Sequence, residues 1–296
     1  MATLKTIRKR IISVKNTQKI TKAMKMVAAA KLRRAQTRLI NARPYSTKMN
    51  DLLGNMVKLI GPKAHPIFQP REEVKKAEFL ILTSDRGLCG GFNGNLLRRV
   101  DAYLKGQQAK TPEITLTVVG KKGRDFFRSR KREPENIITG IPDNFPFEEA
   151  LKIAEHQIAG YQEGQFDEFY LVYNFFRSAI SQETRIEKIL PLSFQPVPEG
   201  AAAQPSDKYV PEYIYEPSRQ AILEKLIPRA VATIIHRAFL ESIAGEFGAR
   251  MMAMENATNN SKEMIASLTL EMNRLRQAVI TTELMDIVNG AESLKK

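Results

Sequence analysis

A glycine-rich stretch is the first place in this chain where residue types and spacing could do chemistry. Asp85-Arg-Gly-Leu-Cys-Gly-Gly-Phe-Asn-Gly94 follows the short apolar run from Ala77 to Ser84. A turn from a strand into a helix presents backbone N–H groups that can bind phosphate. However, the glycines match neither G-x-G-x-x-G nor the G-K-[ST] ending of a phosphate loop. We therefore expect a tight turn packed closely through glycine, without a nucleotide or other cofactor.

Cysteine and histidine chemistry is equally poorly supported. Cys89 is the only cysteine, and no histidine lies near it in sequence, so we expect a buried structural thiol rather than a nucleophile. His65, His156 and His236 are far apart and lack the spacing of metal ligands. The sequence therefore predicts no catalytic, cofactor-binding or metal-binding residue.

The strongest chemical signal is positive charge at the start of the chain. No acidic residue precedes Asp51, whereas the rest of the chain carries 32 bases and 32 acids, so the net charge of +14 lies in this stretch. The stretch has fourteen bases: Lys5, Arg8, Lys9, Arg10, Lys15, Lys19, Lys22, Lys25, Lys31, Arg33, Arg34, Arg38, Arg43 and Lys48. A solvated helix normally mixes charges of both signs, so this pattern indicates an anionic partner.

Three kinds of anionic partner are possible: nucleic acid, an anionic membrane surface and an acidic protein surface. Residues 1–44 contain no Phe, Tyr or Trp. This disfavours base stacking on single-stranded nucleic acid and burial in a membrane interface. A mitochondrial transit peptide is a further alternative, although the pattern runs on for about fifty residues, is not rich in serine and shows no processing signal. The sequence contains no run of 18 apolar residues, so we expect no membrane-spanning helix.

Long helices must position the basic residues. Leu4, Ile7, Ile11 and Val14 follow the 3-4-3 spacing of a coiled-coil seam, and Pro44 is expected to kink or interrupt the helix. Helical spacing returns after Pro217 and continues through Leu268, Met272, Leu275 and Val279 to the end of the chain. Two such helices can pair with each other as an antiparallel coiled coil, although either could instead bind another chain.

Between the helices, strand and helix patterns alternate. The predicted strands are Ala77 to Ser84, Ile114 to Gly120, Phe169 to Phe175 and Glu183 to Leu190. This order predicts an α/β fold with a small Rossmann-like domain that ends in an antiparallel edge pair. The expected organisation is a coiled-coil helix over 1–60, a linker over 61–76, the α/β domain over 77–194, a second linker over 195–216 and a coiled-coil helix over 217–290.

Three long motifs, in order, resemble one family. They are Ile12-Ser-Val-Lys-Asn-Thr-Gln-Lys-Ile-Thr-Lys-Ala-Met-Lys-Met-Val-Ala-Ala29, Thr83-Ser-Asp-Arg-Gly-Leu-Cys-Gly-Gly-Phe-Asn-Gly94 and Ile280-Thr-Thr-Glu-Leu-Met-Asp-Ile-Val-Asn-Gly-Ala291. Together they are similar to the γ subunit of bacterial F-type ATP synthase, over essentially the whole chain. The resemblance implies an α/β domain with both ends of the chain in an antiparallel coiled coil, which acts as a central rotor shaft. The shaft transmits rotation between a membrane ring of c subunits and the catalytic β subunits, so that ion flow is coupled to ATP synthesis or hydrolysis. The chain is therefore not expected to be an enzyme by itself.

The resemblance also implies partners and contact residues. The partners are the α and β subunits as an α3β3 hexamer, the ε subunit and the c-ring, with no nucleic acid and no membrane insertion. The location implied is peripheral, on the cytoplasmic face of the bacterial cell membrane. The implied contacts are, for the β catch loop, Arg250, Arg276, Gln277, Thr281 and Glu283; for the β lever, Met24, Lys22 and Lys25; and for the foot on the c-ring, Tyr213 and Glu216.

Two other classes compete with this interpretation. A nucleic-acid-binding protein with a basic arm would lose affinity steeply as salt rises and would still bind specifically at physiological salt. An α/β nucleotide-dependent enzyme would need a phosphate loop, which the glycines between Gly87 and Gly94 do not provide.

Overall fold

The computed structural model of the chain describes residues 3–61, 65–71, 73–108, 111–192 and 218–293. These residues form two compact units. One, the central unit, holds the described residues between 31 and 249, and the other holds the described residues of the two chain ends, up to 30 and from 250 onward. The predicted linker over 195–216 lies outside the described residues.

Two long helices lie at the start and at the end of the chain. The first, α1, spans Leu4–Ile60, and the last, α5, spans Arg219–Ser293. Each contains a proline, Pro44 in α1 and Pro228 in α5, and each continues through it. A proline inside a helix removes one backbone hydrogen bond and costs about 3 kcal/mol.

The expected interruption at Pro44 is wrong, and packing on its C-terminal side gives the reason. Met49, Leu53 and Met56 are buried in the main core of the central unit. Burial of a large apolar side chain contributes roughly 1.5–3 kcal/mol. Three such side chains therefore offset the lost hydrogen bond and keep the helix continuous.

The central unit is built on one five-stranded sheet. Its elements in chain order are β1 Lys76–Leu82, α2 Phe92–Gln107, β2 Glu113–Val119, α3 Lys121–Ser129, β3 Asn136–Ile138, α4 Phe147–Glu163, β4 Glu168–Phe176 and β5 Gln182–Leu190, with a short 3-10 helix at Pro66–Phe68. The strand order is β3-β2-β1-β4-β5. All neighbours are parallel except β4 and β5, which pair antiparallel as the sequence predicts. The three-residue edge strand β3 was not predicted, because it is too short to show a periodic pattern.

The alternation of side chains along β1 explains the layers. Leu80 and Leu82 point into a core that α1, α4 and α5 share, whereas Phe79 and Ile81 point into a second core with residues of α2 and α3. Successive side chains of a strand face opposite sides of the sheet, so a strand covered on both faces is apolar throughout. The α/β class and the long terminal helices predicted from the sequence are confirmed.

Candidate partner-binding surfaces

The two ends of the chain pair along an apolar seam. Ile7 and Ile11 of α1 are buried with Leu268 of α5, and partly buried side chains extend the cluster, namely Val14, Ile265, Met272 and Leu275. Further along, the Thr21 hydroxyl lies 2.8 Å from that of Thr258. Residue numbers rise along α1 while those of the partners fall along α5, so the helices run antiparallel.

The predicted β-lever residues lie on α1 in this unit, and they differ in exposure. Lys22 is exposed, whereas Met24 and Lys25 are partly buried. The Lys25 ammonium donates to Glu255 of α5 at 2.7 Å. Among the described residues of α1 up to Ala30, Lys25 is the only base in an ion pair. The charges of the other bases in this segment are therefore not neutralised by an ion pair within the described residues, and they remain available to a partner.

The predicted catch-loop residues do not form a single group. Arg276, Gln277, Thr281 and Glu283 are exposed and lie within two turns of α5. The Thr281 hydroxyl donates to the Gln277 carbonyl at 2.9 Å, a bond within the helix. Arg250 is only 9% exposed. It lies 26 residues before Arg276, a distance of roughly 39 Å along a helix. The structure thus separates Arg250 from the other four.

The predicted foot residues, Tyr213 and Glu216, lie outside the described residues.

An exposed apolar end of α5 is a surface that the sequence analysis missed. Every residue from Arg276 to Asn289 is exposed. Six of them are large and apolar, with exposed fractions of 42% to 68%: Val279, Ile280, Leu284, Met285, Ile287 and Val288. Leu275 is the last α5 residue in the seam cluster. The signal for this surface in the sequence was the density of apolar residues, six within ten positions. A continuous exposed apolar surface of this kind marks a binding site.

The glycine-rich turn is locked by its own polar groups. Asn93 accepts from the Ser84 N–H at 3.0 Å through Oδ1, and its Nδ2 donates to the Ser84 hydroxyl at 2.7 Å. Asp85 accepts from the N–H groups of Lys121 and Gly140, at 3.0 Å and 2.8 Å. Cys89 is 2% exposed, as expected for a structural thiol. These side-chain partners agree with a structural turn.

In many open α/β sheets a nucleotide binds at one edge of the sheet, and in this chain α5 occupies that position. Ligands of open α/β sheets bind where the strand order reverses, here beyond the carboxyl ends of β1 and β4. A Cβ on Gly245 of α5 would lie 3.2 Å from the Phe92 ring and 3.8 Å from the carbonyl oxygen of Asn174, near the end of β4. The close approach of α5 fills this crevice with the chain's own helix.

Two buried carboxyl groups are the remaining candidates for acid–base chemistry. Burial raises the pKa of Glu241 to about 7, despite the nearby Arg237 guanidinium and the Phe176 N–H. Burial also raises the pKa of Glu78, whose Oε1 accepts from Thr117 and Gln157 at 3.0 Å each. Both groups are enclosed between the sheet and a helix, so they bear on folding rather than on catalysis.

In the described part of the chain, no group of three or more His, Cys, Asp or Glu side chains could hold a metal ion. The helices of that part include none with the length and apolar character needed to cross a membrane.

Comparison with known proteins identifies the family. A family model described as ATP synthase matches residues 3–294. The ATP synthase gamma chain of Geobacter metallireducens is 46% identical over 295 residues, and that of an Anaeromyxobacter species is 46% identical over 299 residues; both alignments cover 100% of both chains. The chain belongs to the ATP synthase gamma-chain family.

Solved structures from the rotating parts of two mitochondrial ATP synthases share the fold. A chain from the central stalk and c-ring of the Tetrahymena thermophila mitochondrial ATP synthase is 28% identical, with a TM-score of 0.59 over 80% of this chain and 99% of the other. A chain from the rotor of the Euglena gracilis mitochondrial ATP synthase has a TM-score of 0.62 at 21% identity, over 94% of this chain and 98% of the other. The family model and the two bacterial gamma chains confirm the resemblance inferred from the three sequence motifs.

Proposed function

We propose that this gamma chain is the central shaft of an F-type ATP synthase, which couples rotation of a c-ring to the nucleotide sites of an α3β3 hexamer. The single observation that carries the proposal is the exposed apolar end of α5, residues 276–289, on a chain of this family. At about 100° per residue the six apolar side chains cover roughly two-thirds of the circumference of the helix, and Thr282, Asp286 and Asn289 lie on the remaining third. So broad an apolar surface is suited to an enclosing apolar sleeve. Three α and three β subunits around one shaft would form such a sleeve.

The shaft role needs stiffness, which the paired ends of the chain provide. Beyond the apolar seam, the same two helices make the polar contacts Thr21–Thr258 and Lys25–Glu255. Apolar packing resists separation of the helices, and the polar contacts fix their register. A pair held in one register can transmit torque without sliding.

The basic surface of α1 supports a contact with an acidic protein segment, the β lever. Lys22 is exposed, whereas Lys25 already binds Glu255, so Lys22 and the other bases of α1 up to Ala30 supply the charge that would attract an acidic segment. Long-range attraction tolerates changes of register, which a turning shaft needs. We assign Lys22, Met24 and Lys25 to this contact. The contacts assigned to the catch loop of β are Arg276, Gln277, Thr281 and Glu283. Arg250, which lies nearer the start of α5, is assigned as a separate contact.

Catalysis is assigned to the partner β subunits, and this chain is proposed to have no active site of its own. The ε subunit and the c-ring complete the proposed rotor, with Tyr213 and Glu216 at the c-ring. The location proposed is peripheral, on the cytoplasmic face of the bacterial cell membrane, without insertion.

The test is reconstitution with the α, β and ε subunits of the source organism. We expect a complex with one copy of this chain for three αβ pairs, and ATP-driven rotation of a bead attached to the central unit. Complexes that hydrolyse ATP while the bead does not turn would contradict the proposal. So would tight ATP binding by the purified chain alone.

A further inference from the structure

A cavity lies between α1, α4 and α5 within the central unit. Its volume is about 300 Å³. It is lined by Ala42, Tyr45 and Ser46 of α1, Phe147 of α4 and His236 of α5, with Thr233 and Arg237 beside them. Small-molecule sites begin at about 300 Å³ and are mainly apolar with a few polar groups. This cavity has that size and that kind of lining.

Three aromatic rings give the cavity its shape. The Tyr45 and Phe147 rings meet edge to face, with centroids 6.4 Å apart, and the Phe147 and His236 rings do so at 5.6 Å. Tyr45 is 50% exposed, so solvent reaches one wall. Aromatic side chains favour edge-to-face or offset contact with a further ring. The walls therefore suit a flat aromatic group.

The polar groups of the cavity favour a ligand that donates one hydrogen bond. The Nε2 of His236 lies 3.1 Å from the Phe145 carbonyl oxygen, which can only accept, so Nε2 carries the hydrogen. The other ring nitrogen, Nδ1, is then an acceptor. Burial lowers the pKa of His236, which keeps the ring neutral. The Ser46 hydroxyl is a second polar group on the lining.

The charges around the cavity do not favour an anion. Arg237 lies 3.6 Å from Glu187. Arg237 also faces the Glu241 carboxyl, and Glu148 faces His236. The acids near the lining offset its single guanidinium, so a neutral ligand suits the cavity better than a charged one.

We infer that this cavity binds a neutral aromatic ring that carries one O–H or N–H donor, such as a phenol or an indole. The ring packs against Tyr45 and Phe147, and its donor reaches His236 Nδ1 or the Ser46 hydroxyl. The ligand is either a free small molecule or a Tyr or Trp side chain of a partner subunit. The inference does not depend on the shaft role.

The first experiment measures binding of p-cresol to the purified full chain by ligand-observed NMR. Toluene, which has the same ring and methyl group without the hydroxyl, is the matched probe. We expect saturable p-cresol binding in the millimolar range, in keeping with so small a ligand, and weaker toluene binding. Ala42→Phe should abolish binding by filling the cavity, whereas Ala23→Phe, at an exposed position of α1, should leave it unchanged.

The hydrogen bond is tested separately. His236→Phe keeps a ring but removes the acceptor, and Ser46→Ala removes the hydroxyl. At least one of these changes should remove the preference for p-cresol over toluene while toluene still binds. Equal binding of the two probes to the unmodified chain, or p-cresol binding that survives Ala42→Phe, overturns the inference.

A final measurement distinguishes the two sources of the ring. It repeats the p-cresol titration on the complex with the α, β and ε subunits. Retained binding identifies a free small molecule as the ligand. If p-cresol binds the free chain but not the complex, crosslinking from Tyr45→Cys to a partner tyrosine or tryptophan segment is expected; no such crosslink would overturn the assignment to a partner side chain.

Discussion

Gly120 shows how backbone geometry fixes a single residue in this chain. It follows β2 with a φ of +95°, and a Cβ there would lie 2.4 Å from the Thr83 carbonyl oxygen. Thr83 in turn donates through its hydroxyl to the Val119 carbonyl at 2.6 Å, so the neighbouring strand cannot move away without losing a bond. The sequence shows a glycine after a strand, but only the structure shows that no other residue fits.

Gly120→Ala is therefore expected to destabilise the chain by more than about 2 kcal/mol, because it combines a disfavoured φ with a steric overlap. The control is Gly94→Ala in α2, where nothing lies within 4 Å of the added Cβ. That change should stabilise by roughly 0.5–1 kcal/mol through helix propensity. Denaturant unfolding of the two variants measures both effects, and equal stabilities would contradict the prediction.

Glu241 makes stability depend on pH at the residue scale. Burial raises its folded-state pKa from 4.5 to about 7, so the folded chain holds this proton more tightly than the unfolded chain. Its contribution to stability is full below pH 4.5 and falls as pH rises to about 7. The loss amounts to about 3 kcal/mol at most, from the value of one pKa unit.

Glu241→Gln should remove this fall, because glutamine does not titrate. The measurement is the free energy of unfolding at several pH values between 4.5 and 8. Glu283→Gln, at an exposed position of α5, is the control and should leave the pH profile of the unmodified chain. Because burial also raises the pKa of Glu78, both chains keep the slope due to that residue, and the informative quantity is the difference between them. A difference in the free energy of unfolding that does not change with pH would contradict the prediction.

At the scale of elements, the seam between the chain ends depends on one stripe of α1. Ile11 is 8% exposed and packs in the seam, whereas its neighbour Ile12 is 54% exposed. The 3-4-3 spacing predicted that Ile7 and Ile11 would share a face, and the structure confirms it. The stripe alone left the partner open, since a heptad pattern specifies a face without specifying the helix that covers it. The antiparallel pairing predicted for the two terminal helices is confirmed.

Ile11→Ala should destabilise the seam by about 2 kcal/mol, at the lower end of the cost of such truncations in a core. We expect faster amide hydrogen exchange within residues 4–30 and 250–275, without faster exchange in β1 and β4. Ile12→Ala removes the same atoms from an exposed position and should change neither. Identical exchange in the two variants would show that the seam does not hold the helices together.

Other elements show where sequence patterns lose information. Pro44 predicts a kink or an interruption, yet the helix is not interrupted, because tertiary burial of Met49, Leu53 and Met56 outweighs the local cost of the proline. Arg250 was grouped with Arg276 through family resemblance, but a continuous helix keeps them far apart. Short-range rules predict the type of each long element well, whereas packing decides its continuity and its partners.

For the whole molecule, the main division is between surfaces that stabilise the chain and surfaces left for partners. The central unit buries both faces of its sheet, whereas α5 from residue 276 to 289 buries none of its sides. This contrast explains why the α/β class was predictable while the exposed end was not. The apolar residues of the end look like core residues until the structure shows that nothing covers them.

The double change Leu284→Ser with Ile287→Ser separates the two kinds of surface. Both side chains are more than half exposed, at 57% and 68%. The free energy of unfolding of the isolated chain should therefore change by less than about 0.5 kcal/mol. Assembly with α3β3 should weaken, measured as the fraction of chain that co-purifies with the hexamer. The matched control is Thr282→Ser, which keeps a hydroxyl on the same segment.

The same exposed end has a consequence for the supply of this chain in a cell. A helix with six large apolar side chains in water can also bind another copy of itself, so free chain is expected to aggregate. Copies made in excess of the α and β subunits would have no sleeve to enter. Production of this chain must therefore keep pace with that of its partners, at one copy for every three αβ pairs, or a chaperone must cover the end until assembly.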